Sequence, residues 1–306
     1  MTTYILKRIA YAIFVLWGAL TIIFITIRIV PGDPASMMLG AGATEQDVQA
    51  LRERLGLDDP LYQQYIDFVD HAVRLDFGNS LWLDQSVLGA VGERLAATGR
   101  LALAAMIIAL VLSFPLGIIA ALKQRTPIDT AISIISLIGQ SVPSFWLGIM
   151  LILVFARHFR IFPSAGSETW KHLVLPSLTL ALPLVGVLTR LVRSGLLEVM
   201  HEDYIRTARA KGLTARTVLT RHALRNMLIP VITVVGLQMG NLLGGAVIVE
   251  IVFGWPGVGR LLVDAIFHRD YPLVQTAILF ITAGFVLINL LVDLSYVYLD
   301  PRIRLS

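Results

Sequence analysis

Six apolar stretches, each long enough to cross a bilayer as a helix, decide what this chain can become: about Ile9–Val30, then approximately 99–122, 129–156, 172–192, 227–250 and 273–298. A hydrocarbon layer roughly 30 Å thick is crossed by about 20 helical residues. In that solvent every backbone N–H and C=O must find its partner inside the protein, which leaves helices or a closed barrel as the spanning structures. Unbroken runs of this length predict helices. With 56% hydrophobic and 15% charged residues the chain is also far from the make-up of a soluble domain. The expectation is an all-α integral membrane protein with six transmembrane helices.

Charge placement orients them. From Arg190 to Pro230 eight basic residues (Arg190, Arg193, Arg206, Arg209, Lys211, Arg216, Arg221 and Arg225) face only Glu198, Glu202 and Asp203. Lys and Arg near a spanning helix resist translocation, so this loop belongs to the cytoplasm. Between Asp33 and Arg94 the balance reverses, with eleven acidic residues against four arginines, which predicts an outer face. Lys123 and Arg125 in the next turn and Arg302 and Arg304 at the end agree with six spans and both termini in the cytoplasm. One loop runs against the rule, since Arg157, Arg160 and Lys171 with Glu168 fall outside. Trp146, Trp170, Tyr296 and Tyr298 sit near the expected interfaces, where amphipathic rings are favoured.

The expected organisation is an N-terminal transmembrane helix over 1–30, a periplasmic acidic helical loop over 31–93, a five-helix domain over 94–298 and a cytoplasmic tail over 299–306. Behind Lys7 and Arg8 the first segment is long enough to span and has no A-x-A cleavage site, so it reads as a retained helix ended by Pro31-Gly32-Asp33-Pro34. The acidic loop holds two short helices. One is capped by Thr44, carries Val48, Leu51 and Leu55 on one face and stops at Gly56; the other starts at Asp59-Pro60 and carries Leu61, Tyr65, Phe68 and Ala72. Prolines fall inside the spans at Pro115, Pro143, Pro176 and Pro183.

The basic loop over 193–226 has more structure than an orientation anchor needs. Tyr204 to Lys211 are good helix formers, with small Ala208 and Ala210 leaving room for close approach, and Gly212 can take the left-handed conformation that ends a helix. A second helix then runs to Ile229-Pro230. Short helix, glycine break and second helix read as a docking element for a protein on the cytoplasmic side. In the fifth span Gly236, Gly240 and Gly244 form a smooth stripe suited to helix packing. Gln238 and Asn241 fall on another face and either line a polar passage or hydrogen-bond within the bundle. Glu250, at the outer end, needs a partner or water and is a candidate gate or contact residue.

No catalytic constellation emerges. The six histidines are scattered without a metal-binding pair, so no metal is expected. No G-x-x-x-x-G-K-[ST] phosphate loop occurs, so the chain should not hydrolyse ATP. The absence of cysteine removes disulfides and thiolate chemistry. Basic residues confined to loops, without an aromatic-lined groove, give no reason to expect nucleic acid.

Ala208-x-x-x-Gly212 with Ile229-Pro230 downstream resembles the coupling-loop motif of ABC importer permeases, whose usual form begins Glu-Ala-Ala. Here Arg206-Thr207-Ala208 occupies that slot, and YxRTARAKGL is similar to the form of the dipeptide, oligopeptide, nickel and glutathione group. PGDPA (Pro31–Ala35), LGLDDPLYQQY (Leu55–Tyr65), LDFGNS (Leu75–Ser80), LPSLTLA (Leu175–Ala181) and VFGWPGVGRLLVDAIFHRDYP (Val252–Pro272) resemble the same group across nearly the whole chain. The resemblance implies a type I ABC importer permease fold with a small helical periplasmic cap, in the inner membrane of a bacterium and in contact with its lipid. It implies a second homologous permease subunit, two ATPase subunits that use the ATP, and a periplasmic or extracellular solute-binding protein, with no cofactor on this chain. On this resemblance Asp203, Tyr204, Arg206, Thr207, Ala208, Arg209, Lys211 and Gly212 would meet the ATPase, Ala208 and Gly212 giving the fit and Tyr204 an aromatic anchor. Ser144 and Trp146 in VPSFWLG, with Gln238, Asn241 and Glu250, are candidates for the translocation path or gate. The expected cargo is a short peptide or a related small solute such as glutathione or a nickel complex. An ion-gradient-driven secondary transporter is the alternative; it would call for inverted repeats and midplane ionisable residues and would leave the coupling loop without a task.

Overall fold

The computed structural model describes residues 2–29, 33–39, 42–54, 56–80 and 82–299. The Pro31-Gly32 stop, Leu55, and Arg302 and Arg304 of the tail lie outside the described residues. In chain order the helices are α1 (Thr2–Ile29), α2 (Pro34–Leu39), α3 (Glu45–Arg54), α4 (Leu61–Val73), α5 (Val87–Leu122), α6 (Pro127–Ser141), α7 (Ser144–Leu151), α8 (Trp170–Met200), α9 (Asp203–Ala210), α10 (Ala215–Thr217), α11 (Leu224–Gly245), α12 (Val247–Val252), α13 (Val258–Phe267) and α14 (Tyr271–Leu299). Wider π turns follow α7 over Ile152–His158 and α10 over Val218–Ala223.

Four helices are long and apolar enough to cross a membrane, within α1, α5, α8 and α14, and six spans result if two bent pairs each count as one. The expected straight span over 129–156 is corrected: α6 meets the α7 segment at 101°. Pro143 is the cause. It has no N–H to give the carbonyl of Gly139, and it pushes Val142 into extended geometry (φ −76°, ψ 127°). The second helix of the basic loop does not stop at Ile229-Pro230 either. It runs on through Pro230 as α11, with a 47° bend.

Lipid tails are as apolar as leucine, so helices in a bilayer gain little from leaving the solvent and are held by close packing. The centre of the bundle is built accordingly. Ala97, Ala102, Ala105 and Ala109 of α5 are buried against Leu180, Ala181, Leu184 and Leu188 of α8. At Gly117 the two helices come so close that a Cβ would lie 2.7 Å from Val192 and 2.8 Å from the Thr189 carbonyl. Gly186 brings α8 against the Ser136 carbonyl of α6 with no room for a side chain. On α11, Gly236 and Gly240 lie against Val292 and Phe285 of α14, whereas Gly244 is open with nothing within 4 Å. The stripe therefore narrows to two glycines, and Leu243 rather than Gly244 meets α14, at Gly284.

α1 packs along α14, and Arg8 pairs with Asp293 at 2.9 Å. The acidic segment sits at the other end of α1. Thr44 caps α3, its hydroxyl accepting from the Asp47 N–H, and Gly56 turns the chain with φ +62°. The Thr44 hydroxyl and N–H in turn hold the Asp47 carboxyl below its ordinary pKa. Tyr65 and Phe68 of α4 pack on Phe24, and Arg28 donates to Gln64 at 2.7 Å; Leu61, expected on that face, is exposed. A two-residue hairpin pairs Asn79 with Ser86 and Ser80 with Gln85. It is latched to the start of α14, where Asp270 accepts from the Ser80 hydroxyl at 2.6 Å and from the Trp82 and Leu273 N–H groups.

Candidate functional site

Between α8 and α11 an exposed polar surface is carried by α9, which joins α8 to α10 and α11. Its sequence, DYIRTARA, divides by helical period. Ile205 and Ala208, three apart, are buried against Val192, Leu196, Val218, Ala223 and Met227, while Arg206, Thr207, Arg209 and Ala210 are exposed. Ala208 thus fills the chain's own interior. That corrects the expectation that it leaves room for another protein. Tyr204 keeps 39% of its surface exposed, and its hydroxyl accepts from Asn226 Nδ2 at 2.7 Å, which ties α9 to α11. Asp203 opens the helix, where a negative charge suits the dipole, and lies 3.4 Å from Arg206 in an exposed pair of little energetic weight.

Gly212 ends the element with φ +78°. Its N–H donates to the Arg209 carbonyl at 3.0 Å and that of Leu213 to the Ala208 carbonyl at 3.3 Å, closing the helix end. No atom lies within 4 Å of where its Cβ would be, so Lys211 and Gly212 form an open corner. The result is a basic ridge on an apolar keel. Ile205 and Ala208 join the ridge to α8, at Val192 and Leu196, and to α11, at Met227.

An ion pair that the sequence reading missed joins α6 to α8. Arg193 of α8 grips Asp129 of α6 with two hydrogen bonds, Nε to Oδ1 at 2.6 Å and Nη2 to Oδ2 at 2.8 Å, and the Arg125 N–H adds a third at 3.0 Å. Asp129 is 5% exposed. The available signal was an acidic residue at the start of an otherwise apolar span.

The path candidates do not converge. Ser144 starts α7 just past the bend, half-buried, and Trp146 is exposed. Gln238 and Asn241 bond to each other at 3.0 Å along α11. Glu250 is the clearest correction. It is fully buried, accepts from the Thr98 hydroxyl at 2.5 Å and from the Arg260 N–H at 2.9 Å, and abuts Gly257 so tightly that a Cβ there would collide with its carboxylate. Thr98 accepts from the Val258 N–H, and Trp255 Nε1 donates to the Ala97 carbonyl at 3.1 Å. Glu250 therefore braces the GWPGVGR turn onto α5 and offers a passing solute nothing to touch. Among the described residues no cluster of His, Asp or Glu could hold a metal ion.

A family model described as binding-protein-dependent transport system inner membrane component matches residues 113–305, and one for the N-terminal part of such membrane components matches residues 1–102. The glutathione transport system permease protein GsiC of Escherichia coli K12 is 41% identical over 304 residues, covering 99% of each chain; that of Shigella dysenteriae serotype 1 shows the same figures. Among solved structures the MetNI methionine ABC transporter in inward-facing conformations matches with a TM-score of 0.60 at 17% identity, over 70% of this chain and 97% of that one. An amino acid ABC transporter with histidines matches with a TM-score of 0.50 at 17% identity, over 67% and 92%.

Proposed function

The chain belongs to the family of binding-protein-dependent transport system inner membrane components, and from that premise we propose how it works and what it carries. Membership makes it a multi-pass inner-membrane permease of an ABC importer rather than an ion-driven carrier. It is not itself an enzyme. ATP hydrolysis belongs to separate ATPase subunits, and a substrate-binding protein delivers the cargo.

Within that frame the chain pairs with a second homologous permease over two ATPase subunits, with both termini cytoplasmic and the acidic segment facing the binding protein. Its cargo is a short peptide or a related small solute, with glutathione the first to test because of the 41% identity to GsiC. α9 is the element on which the ATPases act. The observation that carries this is the division of α9 into a buried keel, Ile205 and Ala208, and an exposed ridge, Tyr204, Arg206, Thr207, Arg209, Lys211 and Gly212. ATP-driven closure of the ATPases would move the ridge, and the keel would pass that motion to α8 and α11, switching the bundle between two accessible states. The basic side chains guide association more than they add affinity.

The test is purification of the tagged chain from its native membrane, wild type beside Gly212→Glu, with identification of the subunits that accompany it. The expected result is a second permease and ATPase subunits with wild type, and loss of the ATPases alone with Gly212→Glu. Retention of the ATPases by Gly212→Glu at wild-type level would remove Gly212 from the docking surface.

A further inference from the structure

Arg190 of α8 lies three residues from Arg193, on the Trp170 side, and the two arginines are treated very differently. Arg193 is neutralised by Asp129. Arg190 reaches instead to Gln140 at the far end of α6, donating from Nη2 to Oε1 at 2.6 Å. Gln140 is eleven residues beyond Asp129, about 16 Å of helix rise, so the Arg190 guanidinium is drawn away from the basic loop toward the apolar depth of the bundle. Among the described residues no carboxylate lies within ion-pairing distance of it. Gln140 and Arg190 are both exposed on the surface of the chain, among exposed Leu137, Ile138 and Trp146. Where α6 breaks, an open recess of about 520 Å³ is lined by Leu137, Ile138, Ser141, Val142, Pro143 and Trp146, with its first polar group one residue from Gln140.

A guanidinium at membrane depth without a counter-ion is costly against lipid, and such residues face a watery or protein interior. A planar fork with one edge held by Gln140 presents its remaining N–H groups to a group that matches it, and carboxylate is that match. We infer that Arg190, held by Gln140 beside the α6–α7 bend, is a binding residue for the carboxylate of a solute passing through the transporter. The inference rests on the permease reading above and sharpens its substrate class to solutes bearing a free carboxylate.

The chain has no cysteine, so Ser141→Cys, in a transporter whose other subunits have had any cysteines replaced, places a lone thiol in the recess next to Gln140 and leaves the Gln140–Arg190 contact in place. The measurement is its reaction rate with an anionic and a cationic methanethiosulfonate reagent, in phosphatidylcholine vesicles. The preference for the anionic reagent should be at least about tenfold greater with Arg190 than with Arg190→Gln, and Arg190→Lys should retain it. A thiol unreactive to both reagents, or a preference unchanged by Arg190→Gln, would overturn the inference. Loss of the preference on adding phosphatidylglycerol, with no effect of glutathione, would assign the site to lipid phosphate and overturn it as a solute site. In ATP-driven uptake, Arg190→Gln should lower entry of a dipeptide about tenfold and leave its C-terminal amide unchanged. If wild type admits neither, the peptide reading falls, while the thiol rates still decide the role of Arg190.

Discussion

Removing the two ends of the Asp129–Arg193 pair one at a time should destabilise the bundle unequally. Arg193→Ala leaves a 5%-exposed carboxylate without its cation, held only by the neutral Arg125 N–H at 3.0 Å and the Ser133 hydroxyl. Leaving a buried charge unpaired costs about 3–5 kcal/mol. Asp129→Ala leaves Arg193, whose side chain is 28% exposed and can turn toward water, so its cost should be nearer 2 kcal/mol. Removing both abolishes the stranded charge in either direction, so the double variant should be less damaged than the two losses added together. A coupling of about 2 kcal/mol follows. The assay is unfolding of the purified chain by rising mole fraction of a denaturing detergent, followed by tryptophan fluorescence. Additivity within about 0.5 kcal/mol would show that the pair is not the joint between α6 and α8 and would refute the reasoning.

Gly236→Leu should collapse yield and stability by driving a side chain into Val292, while Gly244→Ala, open within 4 Å, should stay within about 0.5 kcal/mol of wild type in the same titration. Ala208→Leu overfills the keel and should cost about 1–3 kcal/mol, whereas Ala210→Leu on the exposed side should leave stability unchanged. Gly257→Ala presses on the Glu250 carboxylate and should lower stability more than Glu250→Gln, which keeps the shape, its amide oxygen accepting from the Arg260 N–H and its amide NH2 donating to the Thr98 hydroxyl. Ser80→Ala strips one donor from Asp270 and should speed protease cleavage in the 79–86 hairpin without changing insertion of the spans.

The membrane-spanning character was legible because hydrocarbon solvent imposes a long, unbroken apolar pattern, and the ends of α3 were legible because Thr44 and Gly56 have local geometric reasons to be there. Glu250 and Ala208 were misread for a common cause. The pattern shows that Ala208 is small and Glu250 charged, but which neighbour fills the space is a tertiary fact: Ala208 shares its face with Ile205, and the groups that receive Glu250 come from Thr98 and Arg260. Pro143 was visible, yet its 101° consequence depends on whether neighbouring helices let the chain turn. The Asp129–Arg193 and Arg190–Gln140 contacts join residues 64 and 50 positions apart, which no local pattern encodes.

The most direct test of α9 as the coupling element is a cysteine scan through it, on a chain that has none of its own. Single thiols at positions 205, 206, 208 and 209 would be carried in the assembled transporter and crosslinked with a short reagent. Crosslinks to an ATPase subunit from 206 and 209, and none from 205 and 208, are the predicted result. No crosslink from either ridge position, or equal crosslinking from the keel, would contradict the account.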